Sequence, residues 1–399
     1  MVLSVALRLR QQFLDMLSEK AMQTYSFTEL MINFQGGLVR RGLLGEVLLW
    51  LTSTTGISPH LTIATLCLIA YALVTWFFFK KFKAGGYNWW LILSPLMCGF
   101  VVAIIRKDFM LYGVVICVFC LMRNADPAPW KRTLAFLLAV FGLMLHEAFF
   151  FWGIPIFALI LISDRKHLFV NSLQLLILLA IFGVLCHFKG DMHTANAILD
   201  SWNAVIDGSP LQFEQRNSIG ALTWDTKETM IHHFKLNGYT NFGLVYWPLC
   251  AIVIYYFISF FFTAFKPSKA KYGTADQTRL SAMMLTLLIC LLPMFTVLSC
   301  DFGRLYQYTI ITSIAAYLIL DKSVIDRMLP AWFQRFVSSL NRAMSTILPP
   351  SKGLIAILLL IIGISPYWFN PTASMIASPV GTIGFYAIIF IHKLAPLIL

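Results

Sequence analysis

Residues 168–188, LFVNSLQLLILLAIFGVLCHF, decide the fold class because they contain no Asp, Glu, Lys or Arg. A helix needs about 20 apolar residues to cross the hydrocarbon core of a bilayer. Three further runs, at 58–79, 244–265 and 280–299, reach that length. No segment shows the alternation over about ten residues that is typical of an outer-membrane barrel. We therefore predict an all-α, polytopic integral membrane protein.

The composition of the whole chain agrees with this prediction. Of the 399 residues, 59% are hydrophobic and only 12% are charged, whereas a soluble domain has about 25% charged residues. This balance excludes an ordinary soluble protein, a disordered chain and a nucleic-acid-binding domain, despite the net charge of +12. The eight cysteines fall mostly inside apolar runs, where Cys behaves as a small hydrophobic residue. We expect no disulfide framework.

The basic residues predict the topology. Short loops rich in Lys and Arg stay in the cytoplasm. Five groups between the apolar runs fit this rule: Lys80, Lys81 and Lys83; Arg123, Lys131 and Arg132; Arg165 and Lys166; Lys266, Lys269, Lys271 and Arg279; and Lys322, Arg327, Arg335, Arg342 and Lys352. Placing all five groups inside predicts about 11–12 transmembrane helices in a single transmembrane domain, 1–399.

Four parts of this topology have their own expectations. Residues 88–105 form one outward span, and residues 133–163 form a hairpin that turns near His146. Residues 189–243 form an extracytoplasmic loop, and 321–353 form a cytoplasmic amphipathic segment. Residues 1–23 either cross the bilayer or lie on its surface; the sequence does not distinguish the two.

Four groups of polar residues fall at the predicted outer ends of the spans. They are Arg40, Arg41 and Glu46 in a glycine-rich stretch; Arg106, Lys107 and Asp108; His146 and Glu147; and Asp301 and Arg304. Ionisable residues within membrane segments are costly and mark functional sites by default. We therefore predict one pocket, open to the outside, that contains all four groups.

Each group also has a purely structural interpretation. The Arg pair fits an interfacial turn beside a packing helix, and residues 106–108 fit a salt-bridged turn. Glu147 either pairs with an arginine from another group or positions an acceptor hydroxyl. Asp301 and Arg304 either pair with each other, or Arg304 binds a phosphate.

The residue types nevertheless indicate a chemistry. Arginines bind phosphate or pyrophosphate through paired hydrogen bonds, and carboxylates orient or deprotonate a hydroxyl. We predict phosphate contacts from Arg40, Arg41, Arg106, Lys107 and Arg304. Glu46, Asp108, Glu147 and Asp301 are the candidate catalytic carboxylates, with Glu46 and Asp108 preferred. His146 and Arg216, the latter in the outer loop, are candidates for acceptor contacts. The sequence predicts no cofactor and no metal ligands, and leaves a divalent metal requirement open.

The chain resembles bacterial membrane glycan-assembly proteins of the O-antigen and exopolysaccharide polymerase type, and the wider GT-C superfamily of polyprenyl-linked glycosyltransferases. The resemblance rests on GGLVRRGLLGE at 36–46, RKD at 106–108, HE at 146–147 and DFGR at 301–304, and on the predicted architecture. The chain lacks the acidic Asp-Xaa-Asp-like loop of the GT-C pattern, for which Glu46 is the substitute. It also lacks the paired Arg-rich outer-loop motifs of some O-antigen polymerases.

The resemblance implies a GT-C-like or polymerase-like bundle in the bacterial inner membrane, with its active site facing the periplasm. It implies transfer of a glycan from a polyprenyl-pyrophosphate donor to a sugar hydroxyl, in surface polysaccharide assembly. The partners it implies are polyprenyl-linked glycans, membrane lipids and other proteins of an assembly complex, and no nucleic acid. The alternative functions are a transporter or flippase for an anionic lipid-linked substrate, and a membrane O-acyltransferase.

Overall fold

The computed structural model describes most of residues 2–98, all of 104–206, most of 210–231 and 248–260, then 275–299, 301–351, a few positions between 353 and 360, and 379–398. Within these ranges the regular secondary structure is helical, and no β-strand occurs. The all-α part of the predicted fold class is therefore confirmed.

The α-helices labelled below follow the chain order. They are α1 (Val2–Leu17), α2 (Tyr25–Met31), α3 (Gly42–Thr55), α4 (Pro59–Ala84), α5 (Asp108–Leu121), α6 (Pro129–Leu145), α7 (Phe149–Trp152), α8 (Ile154–Ser163), α9 (Leu168–His187), α10 (Met192–Asn203), α11 (Ala275–Cys290), α12 (Phe302–Ile319), α13 (Lys322–Met328), α14 (Ala331–Ile347) and α15 (Pro379–Ile398). An apolar helix at Ala251–Phe260 precedes α11. Short 3-10 helices occur at Glu19–Gln23, Trp89–Leu93, Arg165–His167 and Gly220–Thr223, and a π-helical turn occurs at Met294–Leu298.

One end of the helix bundle, here called the basic end, collects residues of the predicted cytoplasmic loops. Arg132, in the first turn of α6, donates a hydrogen bond to Asp164, which follows α8. Arg123 and Asp321, which follow α5 and α12, pair at 3.2 Å. The chain therefore leaves this end along α6 and returns to it along α8. This confirms the predicted hairpin, whose turn lies at residues 146–148.

The opposite end, here called the site end, holds the polar groups singled out in the sequence. Arg304 in the first turn of α12 binds Asp108, the first residue of α5. The backbone N–H of Arg40 donates to the carbonyl of Phe188, directly after α9. At 1.5 Å per residue, the 20 residues of α9 span about 30 Å, so the two ends are separated by roughly that distance.

Helix α12 lies at the centre of the bundle, since 16 of its 18 residues are buried. Its Thr309 and Ser313 hydroxyls donate to carbonyls one turn earlier, so these buried polar groups need no partner from another helix. The helix packs against α5, α7 and α11.

The predicted span at 88–105 differs from the structure. Its first part is a 3-10 helix, Trp89–Leu93, that ends at Ser94 in an extended conformation. Pro95 follows directly, and a proline disfavours helical backbone in the residue before it. The expectation of one continuous α-helix over this stretch is wrong in its described first part.

Part of the predicted outer loop folds against the N-terminal region. The Trp202 indole in α10 donates to the carbonyl of Met31 at 2.6 Å, and the Ser218 backbone N–H donates to the Thr28 hydroxyl at 3.0 Å. Apolar side chains of α2 and α10 pack beside these hydrogen bonds and form a second, smaller core. The described part of 189–243 is thus a helical cap rather than an open loop.

Two helices of the described part are long and apolar enough, by length and composition, to cross a membrane: Pro59–Ala84 and Arg165–His187. Shorter apolar helices occur at Asp108–Leu121, Ile154–Ser163, Ala251–Phe260 and Pro379–Ile391.

Candidate functional site

Members of all four polar groups predicted from the sequence meet at the site end, and Glu29 of α2 lies between them. The Glu29 side chain is completely buried. Its Oε1 lies 3.3 Å from Arg41 and 3.2 Å from His146, and its Oε2 lies 4.0 Å from Arg304. Sequence reasoning missed Glu29, although a single carboxylate in the helix YSFTELM is a signal of the same kind as Glu147.

Arg41 holds Glu147 in a bidentate arrangement. Its Nε donates to both carboxylate oxygens of Glu147, at 3.1 and 2.8 Å, and its Nη2 donates to Oε1 as well. Both side chains are mostly buried. Of the two alternatives left open for Glu147, the structure therefore shows the pairing with an arginine from another group.

The backbone of Arg41 is strained. It has φ 67° and ψ 3°, the left-handed region, and it precedes the first residue of α3. A non-glycine residue there costs roughly 1–3 kcal/mol and persists only where its surroundings hold it. The fully buried Lys107 donates to the carbonyl of Arg41 at 3.0 Å. Lys107 therefore fixes the Arg41 backbone, while Glu29 and Glu147 fix its guanidinium.

A second buried pair joins α5 to α12. Arg304 donates to both oxygens of Asp108, at 2.9 and 2.7 Å, and the Tyr308 hydroxyl donates to the same carboxylate at 2.7 Å. The Tyr308 ring stacks on Trp152, with 4.4 Å between centroids. Asp108 thus accepts three hydrogen bonds from Arg304 and Tyr308, which fits a structural role better than that of a general base.

His146 lies between Glu29 and Glu147 in the cluster. Its Nδ1 accepts the backbone N–H of Ala148 at 3.1 Å, and its Nε2 faces Glu29. A ring nitrogen that accepts a hydrogen bond carries no proton. The hydrogen-bond pattern therefore corresponds to the neutral imidazole with its proton on Nε2, donated to Glu29.

Three residues of the cluster are held more loosely. Arg40 Nη1 lies 3.5 Å from Glu147, with 30% of the side chain exposed. Arg106 lies 3.7 Å from Asp301, a carboxylate that is 34% exposed, and stacks over the Tyr25 ring. The buried Nε atoms of Arg40 and Arg106 have no hydrogen-bond partner. Such donors cost free energy unless something accepts from them, so these two arginines are the best placed to bind a ligand.

Asp301 differs from the other carboxylates of the cluster in its loose pairing. Its Oδ2 lies 3.7 Å from Arg106 and 3.8 Å from Arg304, both beyond hydrogen-bond range. It precedes α12 without forming a side-chain cap. Asp301 is therefore the cluster carboxylate that is freest to accept a proton or a hydrogen bond from a ligand.

Another candidate, Glu46, lies outside the ion cluster. Glu46 accepts from the backbone N–H of Phe34 at 2.9 Å and from the Gln35 amide at 2.8 Å. It stabilises the loop before α3, and its hydrogen bonds do not reach the ion cluster. Arg216 lies outside the described residues.

The glycines of the 36–45 stretch serve packing. A Cβ at Gly45 would lie 2.0 Å from the carbonyl oxygen of Ile32, and one at Gly36 would lie 2.6 Å from the Cα of Thr194. Both glycines therefore allow close approach of this chain's own backbone. This differs from the expectation that they approach a ligand.

An apolar cavity of about 280 Å³ is lined by residues of α6, of α9 and of the loop before α3. Its lining side chains are Leu38, Met144, Ile177, Ala180, Ile181, Val184 and Leu185. Leu38 is two residues from Arg40, and Met144 is two residues from His146. The cavity therefore runs along α9 and includes side chains close in sequence to Arg40 and His146, neither of which lines it. Among the described residues, no group of three or more His, Cys, Asp or Glu side chains has an arrangement that could hold a metal ion.

No family model, curated protein or solved structure matches this chain.

Proposed function

We propose that the protein is a polytopic membrane glycosyltransferase that transfers a glycan from a polyprenyl-linked phosphate or pyrophosphate donor to a sugar hydroxyl. The observation that carries the proposal is the ion cluster at one end of the bundle, where Arg40 and Arg106 keep unpaired donors. Leu38, two residues before Arg40, lines an apolar cavity. A lipid-linked phosphosugar has the matching parts, an anionic group and an apolar tail.

The proposed membrane placement rests on the surface between the two ends. Large apolar side chains on α9 face outward, such as Phe169 at 83% and Leu176 at 62% exposure. Apolar patches of this extent do not face water in soluble monomers. Exposed Trp76 and Trp130 lie close in sequence to lysines of the basic end, as in the aromatic belts of membrane proteins. We place the basic end in the cytoplasm and the site end on the periplasmic face of the bacterial inner membrane.

Arg40 and the cavity form the proposed donor side. The phosphate accepts from the Arg40 Nε, and the polyprenyl chain follows the cavity along α9 towards the bilayer. Phosphate is a bidentate acceptor that suits a guanidinium. Because Glu147 already pairs with Arg40 and Arg41, the incoming anion displaces this carboxylate from Arg40 and leaves the Arg41 pair in place.

Asp301 and Arg106 form the proposed acceptor side. The acceptor oxygen forms a bond to the anomeric carbon while the bond from that carbon to the phosphate oxygen breaks. The hydroxyl proton passes to the Asp301 carboxylate, and the phosphate leaves with the bonding electron pair. Arg40 stabilises the negative charge that develops on the leaving group, which is an electrostatic contribution to catalysis.

A flippase for the same lipid is the second candidate, and the distribution of charge argues against it. Helices that would line a path across the bilayer carry no Asp, Glu, Lys or Arg over 109–121, 133–145, 168–187 and 305–319. The ion pairs of the described bundle lie at its two ends. A transported anion would cross about 30 Å of apolar surface, so we favour transfer at one face.

The test is a transfer assay with the full chain in nanodiscs, supplied with a polyprenyl-pyrophosphate sugar and an acceptor glycan. Arg40→Gln and Asp301→Asn should each lower the rate by about 100-fold or more while the thermal unfolding midpoint stays unchanged. Arg123→Gln, an equally conservative change at the basic end, is the matched control and should retain full activity. Translocation of the lipid without transfer, or full activity of both site variants, contradicts the proposal.

A further inference from the structure

Helix α14 carries an apolar ridge that no described part of the chain covers. Trp332, Phe336 and Ile347 are 65%, 54% and 84% exposed. Phe336, Ala343 and Ile347 follow Trp332 by 4, 11 and 15 residues. At 3.6 residues per turn these positions fall within an arc of about 60°. The ridge is therefore one continuous stripe along the helix.

The opposite face of α14 fixes the direction in which this ridge points. Val337 and Asn341 are buried against α11. Asn341 donates to the Ser281 hydroxyl at 3.2 Å and accepts from Tyr255 at 2.8 Å. Such a buried hydrogen-bonded contact does not tolerate rotation of the helix, because rotation would leave polar groups without partners. The ridge is thus held outward by the fold.

Positive charge flanks the ridge on one side. Arg335 and Arg342 are exposed and lie about 100° from its centre. The nearby acids are already engaged: Asp321 pairs with Arg123, and Asp326 pairs with Arg279 at 2.7 Å. In the described part of the chain neither Arg335 nor Arg342 forms an ion pair, so their charge is uncompensated.

We propose that this face of α14 is a binding surface for anionic phospholipid. The ridge inserts between lipids at the headgroup boundary, and Arg335 and Arg342 bind lipid phosphates beside it. An apolar stripe with flanking cations is the pattern by which helices lie in a membrane interface, and uncompensated arginines favour anionic headgroups. The proposal rests on the membrane placement given above and not on glycosyl transfer.

Photocrosslinking of the full chain in nanodiscs tests the occupant of the ridge. A benzophenone amino acid at Phe336 should form covalent adducts with phospholipid, detected by mass. The same probe at Ser338, which lies roughly opposite on the helix, should form few. A probe at Leu176 on the exposed face of α9 reports membrane placement separately. Lipid adducts at Leu176 but none at Phe336, or adducts at Phe336 with a second copy or another polypeptide, overturn the proposal.

A comparison of nanodisc compositions tests the charge. The lipid adduct at Phe336 should be enriched in phosphatidylglycerol when the bilayer contains equal amounts of phosphatidylglycerol and phosphatidylcholine. Arg335→Gln and Arg342→Gln should each reduce this preference by about 5-fold, the effect of one surface cation. Arg335→Lys and Arg342→Lys keep the charge and should keep the preference. If the probe at Phe336 labels the two lipids equally while Arg335 and Arg342 are unchanged, anionic selectivity is refuted.

Discussion

Replacement of Arg304 by methionine should destabilise the protein by about 3–5 kcal/mol, the usual effect of removing one partner from a buried ion pair. Arg304 and Asp108 are 9% and 8% exposed. Methionine removes both hydrogen bonds to Asp108 and the cation 4.0 Å from Glu29. Asp108 then keeps only the Tyr308 hydroxyl, so its buried charge is under-compensated.

The double variant separates this cost from lost packing. Asp108→Asn removes the orphaned charge, so Asp108→Asn with Arg304→Met should be less destabilising than the sum of the two single changes by about 2–3 kcal/mol. The free energy of unfolding is measured by dodecyl sulfate titration in mixed micelles. The control is Arg123→Gln. Arg123 and its partner Asp321 are 61% and 42% exposed, so this change should cost less than about 1 kcal/mol.

The result that refutes this reasoning is specific. If Arg304→Met costs no more than Arg123→Gln, or if the double variant costs the full sum of the single variants, Arg304 and Asp108 do not form a buried, coupled pair. The assignment of Arg304 to structure and of Arg40 and Arg106 to ligand binding then loses its basis.

The remaining predictions concern three other positions. Gly45→Val should prevent folding to a monodisperse species in size-exclusion chromatography, because its Cβ would lie 2.0 Å from a backbone carbonyl oxygen. Tyr308→Phe should lower the free energy of unfolding by about 1.5–3 kcal/mol, since it removes a hydrogen bond to the charged Asp108. Burial alone would raise the pKa of Asp164, but the hydrogen bond and charge of Arg132 outweigh burial and hold that pKa below its ordinary value of 3.8. Asp164 therefore stabilises the fold above pH 3.8 and loses this effect as the pH falls through its lower folded-state pKa. The difference in unfolding midpoint between the unmodified protein and Asp164→Asn should accordingly shrink in strong acid.

Much of the helical architecture was predictable from apolar runs and charge. The runs at 58–79 and 168–188 correspond to α4 and α9, whose bounds are Pro59–Ala84 and Leu168–His187. The hairpin at 133–163 was predictable because both its flanks are basic. Where the prediction was wrong, at 88–105, the described first part is a short 3-10 helix, Trp89–Leu93, followed by Ser94 in an extended conformation.

Most residues of the candidate site were predictable from the sequence, but which of them pair with each other was not. Arg40, Arg106 and Asp301 were expected to act in the same way as Arg41, Arg304 and Asp108. The structure divides them, because Arg41 and Arg304 have their donors occupied by Glu147 and Asp108. Glu29 and Tyr308 were missed because α2 is short and α12 contains several aromatic residues, so neither stands out locally.

The sequence by itself determined the helices and the two chemically distinct ends, because both depend on local properties: runs of apolar side chains and clusters of charge between them. Only the tertiary structure decided which charges neutralise each other. Arg41 and Glu147 lie 106 positions apart in the chain, and Asp108 and Arg304 lie 196 apart. Such pairs form only when distant helices pack side by side. The same packing leaves Arg40, Arg106 and Asp301 available for a ligand.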